Sequence, residues 1–198
     1  MLEAFYKTHD YLVEHVNVHA RRVLMDEINW NDRLIAIKGG RGVGKTDFLL
    51  NYAKEQRRLN PEASKHTLYV NFNDFYFTEH SLLDFAGQFV ANGGKTLLID
   101  QAFKNPNWSK ELSQCFYRYP ALQIIFVASS VMRLIEDNHD IGNIVHSYNL
   151  RGFSFREYLN VTLGLKLPVY SLEDILKHHV EIAQKICQYV KPLQYFDN

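Results

Sequence analysis

Apolar residues recur along this chain in two rhythms, short unbroken runs and stripes spaced by three and four, and the two alternate. Leu34-Ile35-Ala36-Ile37, Thr67-Leu68-Tyr69-Val70-Asn71, Thr96-Leu97-Leu98-Ile99-Asp100 and Gln123-Ile124-Ile125-Phe126-Val127-Ala128 are runs of the first kind. Their length and β-branched content predict strands buried on both faces. Residues 144–150 predict a fifth. Stripes of the second kind predict helices over 47–53, 81–92 (capped by Ser81, with Asp84 three residues on) and 108–119. Ahead of the first strand, Val13, Val16, Ala20, Val23, Leu24 and Ile28 predict a helix beginning near Val13; the first ten residues, with Phe5 and Tyr6, are less regular and stay open. Asn29-Trp30-Asn31-Asp32 is a turn cluster, and Phe72 to His80 reads as an irregular aromatic and acidic loop. A short helix is expected over 154–163. The capping box Ser171-Leu172-Glu173-Asp174 opens a long amphipathic helix running to about Val190.

Strands alternating with helices make an α/β fold, a parallel sheet of about five strands with helices on both faces and right-handed crossovers. The expected division is an N-terminal helical segment over 1–32, a core over 33–163 and a C-terminal helical segment over 164–198. Sheets of this kind bind ligands outside the carboxyl ends of their strands.

One such end carries recognisable chemistry. Gly39-Gly40-Arg41-Gly42-Val43-Gly44-Lys45-Thr46 fits G-x-x-x-x-G-K-[ST], the phosphate-binding loop, between a predicted strand and a predicted helix. Glycines let the backbone turn tightly and aim successive N–H groups at an anion, and the helix N-terminus adds its positive end. Lys45 is expected on the β- and γ-phosphates, and the Thr46 hydroxyl on Mg²⁺. With Asp47, the next residue of the helix, these residues form the expected nucleotide-binding set. Gly93-Gly94-Lys95-Thr96 repeats three of the letters, but Phe89 stands where the first glycine belongs and a strand follows, so it is a decoy.

Composition acts mainly by exclusion. Formal net charge is zero, which gives no global attraction to nucleic acid or an acidic membrane surface. Cys115 and Cys187 stand alone and far apart, offering neither a disulfide framework nor a zinc pattern, and no long apolar run is present. A cytoplasmic protein is expected.

The chain resembles the AAA+-type P-loop ATPases, and more narrowly the prokaryotic AAA_14 ATPases, which are usually followed by a C-terminal domain of unknown function. The residues that carry the resemblance, beyond Gly39–Thr46 and Leu97-Leu98-Ile99-Asp100, are Lys104 to Leu112, with its Pro106-Asn107-Trp108 segment, Val127-Ala128-Ser129-Ser130, and Leu150 to Leu159, with Ser154-Phe155-Arg156-Glu157 at its centre. It covers about Ala20 to Leu159. It implies an ASCE-like sheet, ATP and Mg²⁺ as ligands, and a partner in the form of a C-terminal domain or another protein; oligomerisation stays open. Asp100 then corresponds to the Walker B aspartate on Mg²⁺, against the plainer reading of an aspartate closing a strand. Ser129 and Ser130 correspond to a sensor of the γ-phosphate or the attacking water, against an equally good reading as helix caps.

Two departures from the family pattern bear on activity. The family carries glutamate after the Walker B aspartate, to orient and polarise water; here it is Gln101. An amide holds water but is a very poor proton acceptor, so ATP binding should survive while turnover falls. Relatives also carry arginine near the positions of Asn143 and Ile144, with Arg133, Arg151 and Arg156 as conceivable replacements whose structural role is favoured. The competing expectations are an active ATPase with Asp74 or Glu79 as base, and the motor part of a nucleic-acid-acting protein. Trp108 is expected to anchor its loop to the core, the adjacent His178 and His179 to be ordinary surface or partly buried histidines, and Phe72–Phe77 to pack, on the C-terminal domain that this chain is expected to lack, rather than stack on a base.

Overall fold

The computed structural model describes residues 1–17, 21–129 and 138–191. Five parallel strands, β1 (Leu34–Gly39), β2 (Thr67–Asn71), β3 (Thr96–Asp100), β4 (Gln123–Ser129) and β5 (His146–Asn149), pair in the order β2-β3-β4-β1-β5. Helices α1 (Leu2–His15) and α2 (Leu24–Glu27) precede the sheet. Between β1 and β2 come α3 (Lys45–Leu59) and α4 (Pro61–Ser64); α5 (Tyr76–Glu79) and α6 (Leu82–Ala91) follow β2, and α7 (Trp108–Arg118) follows β3.

Side chains alternate across the sheet, so each of β1 to β4 feeds two cores. Leu34, Ala36, Leu68, Val70, Leu97, Ile99, Ile124 and Phe126 pack on one face with Phe85, Phe89 and Leu112 of α6 and α7. Ile35, Ile37, Tyr69, Leu98, Ile125 and Val127 pack on the other with Phe48, Leu49 and Tyr52 of α3. Burial of both faces is why β1 to β4 read as unbroken apolar runs, while β5 is polar and mostly exposed.

The N-terminal segment departs from expectation. Its long helix is α1, starting at Leu2, and the chain is extended by Val16 (φ −62°, ψ 128°). Val13, Val16, Leu24 and Ile28 all enter the α3-side core, but from α1, a bend and the four-residue α2. Their spacing of three and four thus records a shared destination and not one helix; β-branched Val16 and Asn17 are weak helix formers where α1 stops. Ala20 lies outside the described residues. The irregular first ten residues are helical because tertiary packing holds them: Phe5 sits 5.0 Å from Phe85 and 5.6 Å from Tyr76, ring centre to ring centre.

The aromatic loop after β2 is also more ordered than expected. It contains α5, and Phe72 stacks on Phe77 at 4.3 Å, inside this chain's own core and not on a separate domain. Trp108 is buried 5.8 Å from Phe126, as an anchor should be. At the decoy, a Cβ on Gly94 would meet the Phe89 ring at 2.4 Å, so that glycine serves packing.

Met1–Phe153 forms one compact unit and Ser154–Asn198 a second. In the second, α8 (Phe155–Leu163) and α9 (Leu172–Cys187) each begin with a full capping box, Ser154 with Glu157 and Ser171 with Asp174. Asn160 Oδ1 accepts the Leu167 amide and Arg156 donates to the Leu167 carbonyl, which ties the connection to α8. His178 and His179 are exposed, the backbone bends at His178 (φ −130°, ψ 24°), and the apolar residues Leu172, Leu176 and Val180 are exposed as well. No helix among the described residues is long and apolar enough to cross a membrane.

Candidate nucleotide-binding site

β1 delivers the chain to the glycine-rich loop, and register lines up four strand ends there. Gly39 pairs with Ser129 across β1 and β4, and Asn71 with Asp100 across β2 and β3. The loop then turns into α3 with Gly42 and Gly44 in the left-handed region, φ 81° and 87°. Gly39 is held for another reason. A Cβ there would lie 2.6 Å from the Leu150 carbonyl oxygen and 2.9 Å from Val43 Cγ2. The loop therefore closes tightly on itself and on the exit of β5.

Lys45, the first residue of α3, folds its ammonium back over the loop, where Nζ donates to the Gly39 and Gly40 carbonyls at 2.8 and 2.7 Å. Burial lowers the pKa of this amine below the usual lysine value, and the nearby Asp100 carboxylate opposes the shift. Thr46 Oγ1 donates to Asp100 Oδ2 at 2.6 Å. Asp100 itself is 2% exposed, at the end of β3 on the α3 side of the sheet. Asp47 is exposed in the first turn of α3, where its charge complements the helix dipole.

Gln101 follows Asp100 with φ 58° and ψ 30°, the one non-glycine residue with positive φ among the described residues. Its carbonyl accepts the Lys104 amide at 2.9 Å, closing a 3₁₀ turn over Ala102–Lys104. Left-handed backbone costs an L-residue about 1 kcal/mol, and such residues cluster at functional sites. Ser129 ends β4, half-buried, beside Gly39. Ser130 and Arg133 lie outside the described residues.

The remaining candidates fall elsewhere. Asp74 is exposed and its Oδ1 accepts the Tyr76 amide at 2.9 Å, which fixes a local turn; Glu79 is exposed at the end of α5. Asn143 is exposed, Ile144 packs on the core, and Arg151 accepts a hydrogen bond from Arg22 at its carbonyl.

Two site residues escaped the sequence reading. Tyr69, 3% exposed on β2, donates its hydroxyl to Asp100 Oδ2 at 3.0 Å. Burial first, and then the facing carboxylate, raise the pKa of that hydroxyl. A signal existed: Tyr69 stands two residues before the end of β2 and Asp100 ends β3, a diagonal on one sheet face that a long side chain spans. Arg22 gave no signal. Its guanidinium donates to the Val43 carbonyl in the loop at 3.2 Å and to the Arg151 and Gly152 carbonyls, and it lies 4.6 Å from the Phe153 ring centre. A cavity of about 690 Å³ opens here, bordered by Gly42, Val43, Gly44, Arg22, Phe48 and Phe153.

Residues 31–159 match the family model AAA_14, described as an AAA domain. This chain belongs to the AAA_14 family. It contains an AAA domain, built on a P-loop sheet. No curated protein matches the sequence. Among solved structures it is similar to PCH-2 from C. elegans, with 16% identity and a TM-score of 0.45 over 83% of this chain and 49% of that one. It is similar to AMPPCP-bound DnaA from Aquifex aeolicus, with 15% identity and a TM-score of 0.46 over 98% of this chain and 61% of that one. Domain III of the Thermotoga maritima replication initiation protein DnaA gives 18% identity and a TM-score of 0.41, over 94% and 70%. The chain thus spans about half of PCH-2 and about three fifths of the Aquifex DnaA chain.

The AAA_14 residues fit nucleotide and magnesium. Gly39, Gly42 and Gly44 shape a loop that larger residues would obstruct or strain, and an ammonium stands over it. A carboxylate and a hydroxyl 2.6 Å apart are hard oxygen donors, and magnesium beside phosphates takes only one or two protein ligands.

Proposed function

We infer that this AAA_14 chain binds Mg²⁺–ATP and hydrolyses it slowly, acting as a nucleotide-dependent switch for an attached or partner domain. Gly39–Thr46 would cradle the phosphates and Lys45 would leave the Gly39 and Gly40 carbonyls for phosphate oxygens. Thr46 and Asp100 would hold the metal, which when bound neutralises charge on the phosphates. Ser129, beside Gly39, is suited to contact the terminal phosphate or a water there. The cavity bordered by Arg22, Met25 and Phe153 offers room for the nucleoside.

One observation carries the reading of weak turnover: the residue leaving β3 after Asp100 is Gln101, an amide fixed at a left-handed turn. It can orient a water by hydrogen bonding but takes no proton from it at neutral pH. Positioning and electrostatics remain, so turnover is reduced and not abolished.

Single-turnover cleavage of Mg²⁺–ATP, with protein in excess and binding verified in the same samples, tests this. Tight binding with cleavage over hours, and a large acceleration in Gln101→Glu, is the expected result. Brisk cleavage by the wild type, unchanged in Gln101→Glu, would transfer the base to another carboxylate such as Asp74 or Glu79 and overturn the reading.

A further inference from the structure

Asp100 Oδ2 receives two hydroxyls, from Thr46 on the α3 side and from Tyr69 within the sheet. They differ in burial and in what else they serve. Thr46 is exposed in the first turn of α3, where its oxygen lone pairs would also serve the metal. Tyr69 is buried, and its backbone is fixed from the other side: its N–H donates to Nδ1 of the buried His9 at 3.0 Å. Its ring packs in the core with Leu98 and Leu49, which holds the hydroxyl at Asp100, with the Asn71 side chain also in reach.

We propose that Tyr69 is a positioning residue for the metal site, its buried hydroxyl holding the Asp100 carboxylate in a metal-ready rotamer before the metal arrives. The inference rests on the Mg²⁺–ATP reading above. A carboxylate free to turn must be ordered by each binding event, whereas one already held has been ordered by folding. Hydrogen bonds to a charged acceptor in a buried setting are strong enough to matter here. Tyr69 touches neither nucleotide nor metal in this scheme; it acts through Asp100.

The test is the gain in ATP affinity on adding Mg²⁺, measured by calorimetry on the full 198-residue chain in EDTA and in Mg²⁺. Tyr69→Phe removes only the hydroxyl. The expected result is a Mg²⁺ gain about tenfold smaller than wild type, with the affinity in EDTA unchanged within about twofold. In an Asp100→Asn background, Tyr69→Phe should have no further effect, because the pair acts as a unit. A Tyr69→Phe protein with the full wild-type gain overturns the role of Tyr69. So does an equal loss in EDTA and in Mg²⁺, which marks a merely structural residue. Wild type that binds ATP without any Mg²⁺ gain overturns the magnesium reading and this inference with it, so the two failures are told apart. Circular dichroism verifies folding, and Tyr69→Met, of similar length and lacking the hydroxyl, replaces Tyr69→Phe if that variant does not fold.

Discussion

The ring of His9 accepts the main-chain N–H of Tyr69 at 3.0 Å, so a side chain from α1 stands where a neighbouring strand would pair with the edge strand β2. An exposed strand edge is a template for unwanted pairing, and covering it with a helix is one of the ways folds manage it. The bond requires Nδ1 to be an acceptor and therefore His9 to be neutral. Burial, aided by the Arg57 charge and opposed by Asp10, holds its pKa down to about 4.

Stability should depend on pH through this ring. In the unfolded chain His9 titrates near its ordinary value of about 6.5, well above its folded value. Its contribution is therefore complete above pH 6.5 and is lost as pH falls toward 4, where the unfolded state binds a proton that the folded state refuses. Linkage puts the loss at about 3 kcal/mol. Urea unfolding at pH 7.5 and 4.5 should show a steeper decline in wild type than in His9→Gln, which keeps an acceptor and cannot titrate. Equal declines would remove His9 as the cause.

Gly39 and Gly40 are neighbours in one motif with different tolerances. Gly39→Ala places a methyl 2.6 Å from the Leu150 carbonyl, whereas at Gly40 the nearest atom is Val43 Cγ1 at an ordinary 3.7 Å. Gly39→Ala should cost about 2 kcal/mol, of the size seen for overpacked sites, and weaken ATP binding. Gly40→Ala should change the thermal midpoint little. A Gly40→Ala protein as unstable as Gly39→Ala would contradict the packing described.

Gln101 offers two separable changes. Gln101→Gly relieves the left-handed strain, less glycine's greater chain entropy, and should stabilise the fold by roughly 0.5 kcal/mol in chemical denaturation. It should leave cleavage no faster than before, since it supplies no base and loses the amide that can orient a water. Gln101→Glu keeps the strain and should restore turnover. Faster cleavage in the glycine variant would tie the slow rate to backbone geometry instead.

Arg22 joins the loop carbonyl of Val43 to the carbonyls of Arg151 and Gly152. Lysine keeps the charge but lacks the planar fork that reaches several acceptors at once. Arg22→Lys should lower stability by about 1 kcal/mol and weaken nucleotide binding severalfold, measured by thermal denaturation and calorimetry. An unaffected affinity would separate this tie from the loop.

Most of the sheet was legible because each of β1 to β4 is buried on both faces and so announces itself locally, Ile124 to Ala128 most plainly; β5 is polar and mostly exposed. The loop and its flanking β1 and α3 were legible for a related reason: the turn needs glycines at fixed positions, and few other uses of glycine share that spacing. What escaped depended on distance in sequence. His9 meets Tyr69 across sixty residues, and Arg22 meets Gly152 across 130. Nothing in the local pattern of either arginine or histidine marks the carbonyl or amide it will find. The stripe from Val13 to Ile28 misled because core-facing residues on a helix and on the bend after it recur at similar intervals.

The obstacle at Gly39 is a peptide oxygen, and that fixes how this motif can drift over generations. Any residue at position 150 presents the same carbonyl to Gly39, so exchanging Leu150 for a smaller side chain frees no room. Trimming Val43 would relieve only the second of the two contacts. Revertants of Gly39→Ala selected for recovered folding should therefore be true reversions to glycine, or insertions and deletions that shift the backbone around 150, and not compensating side chains there.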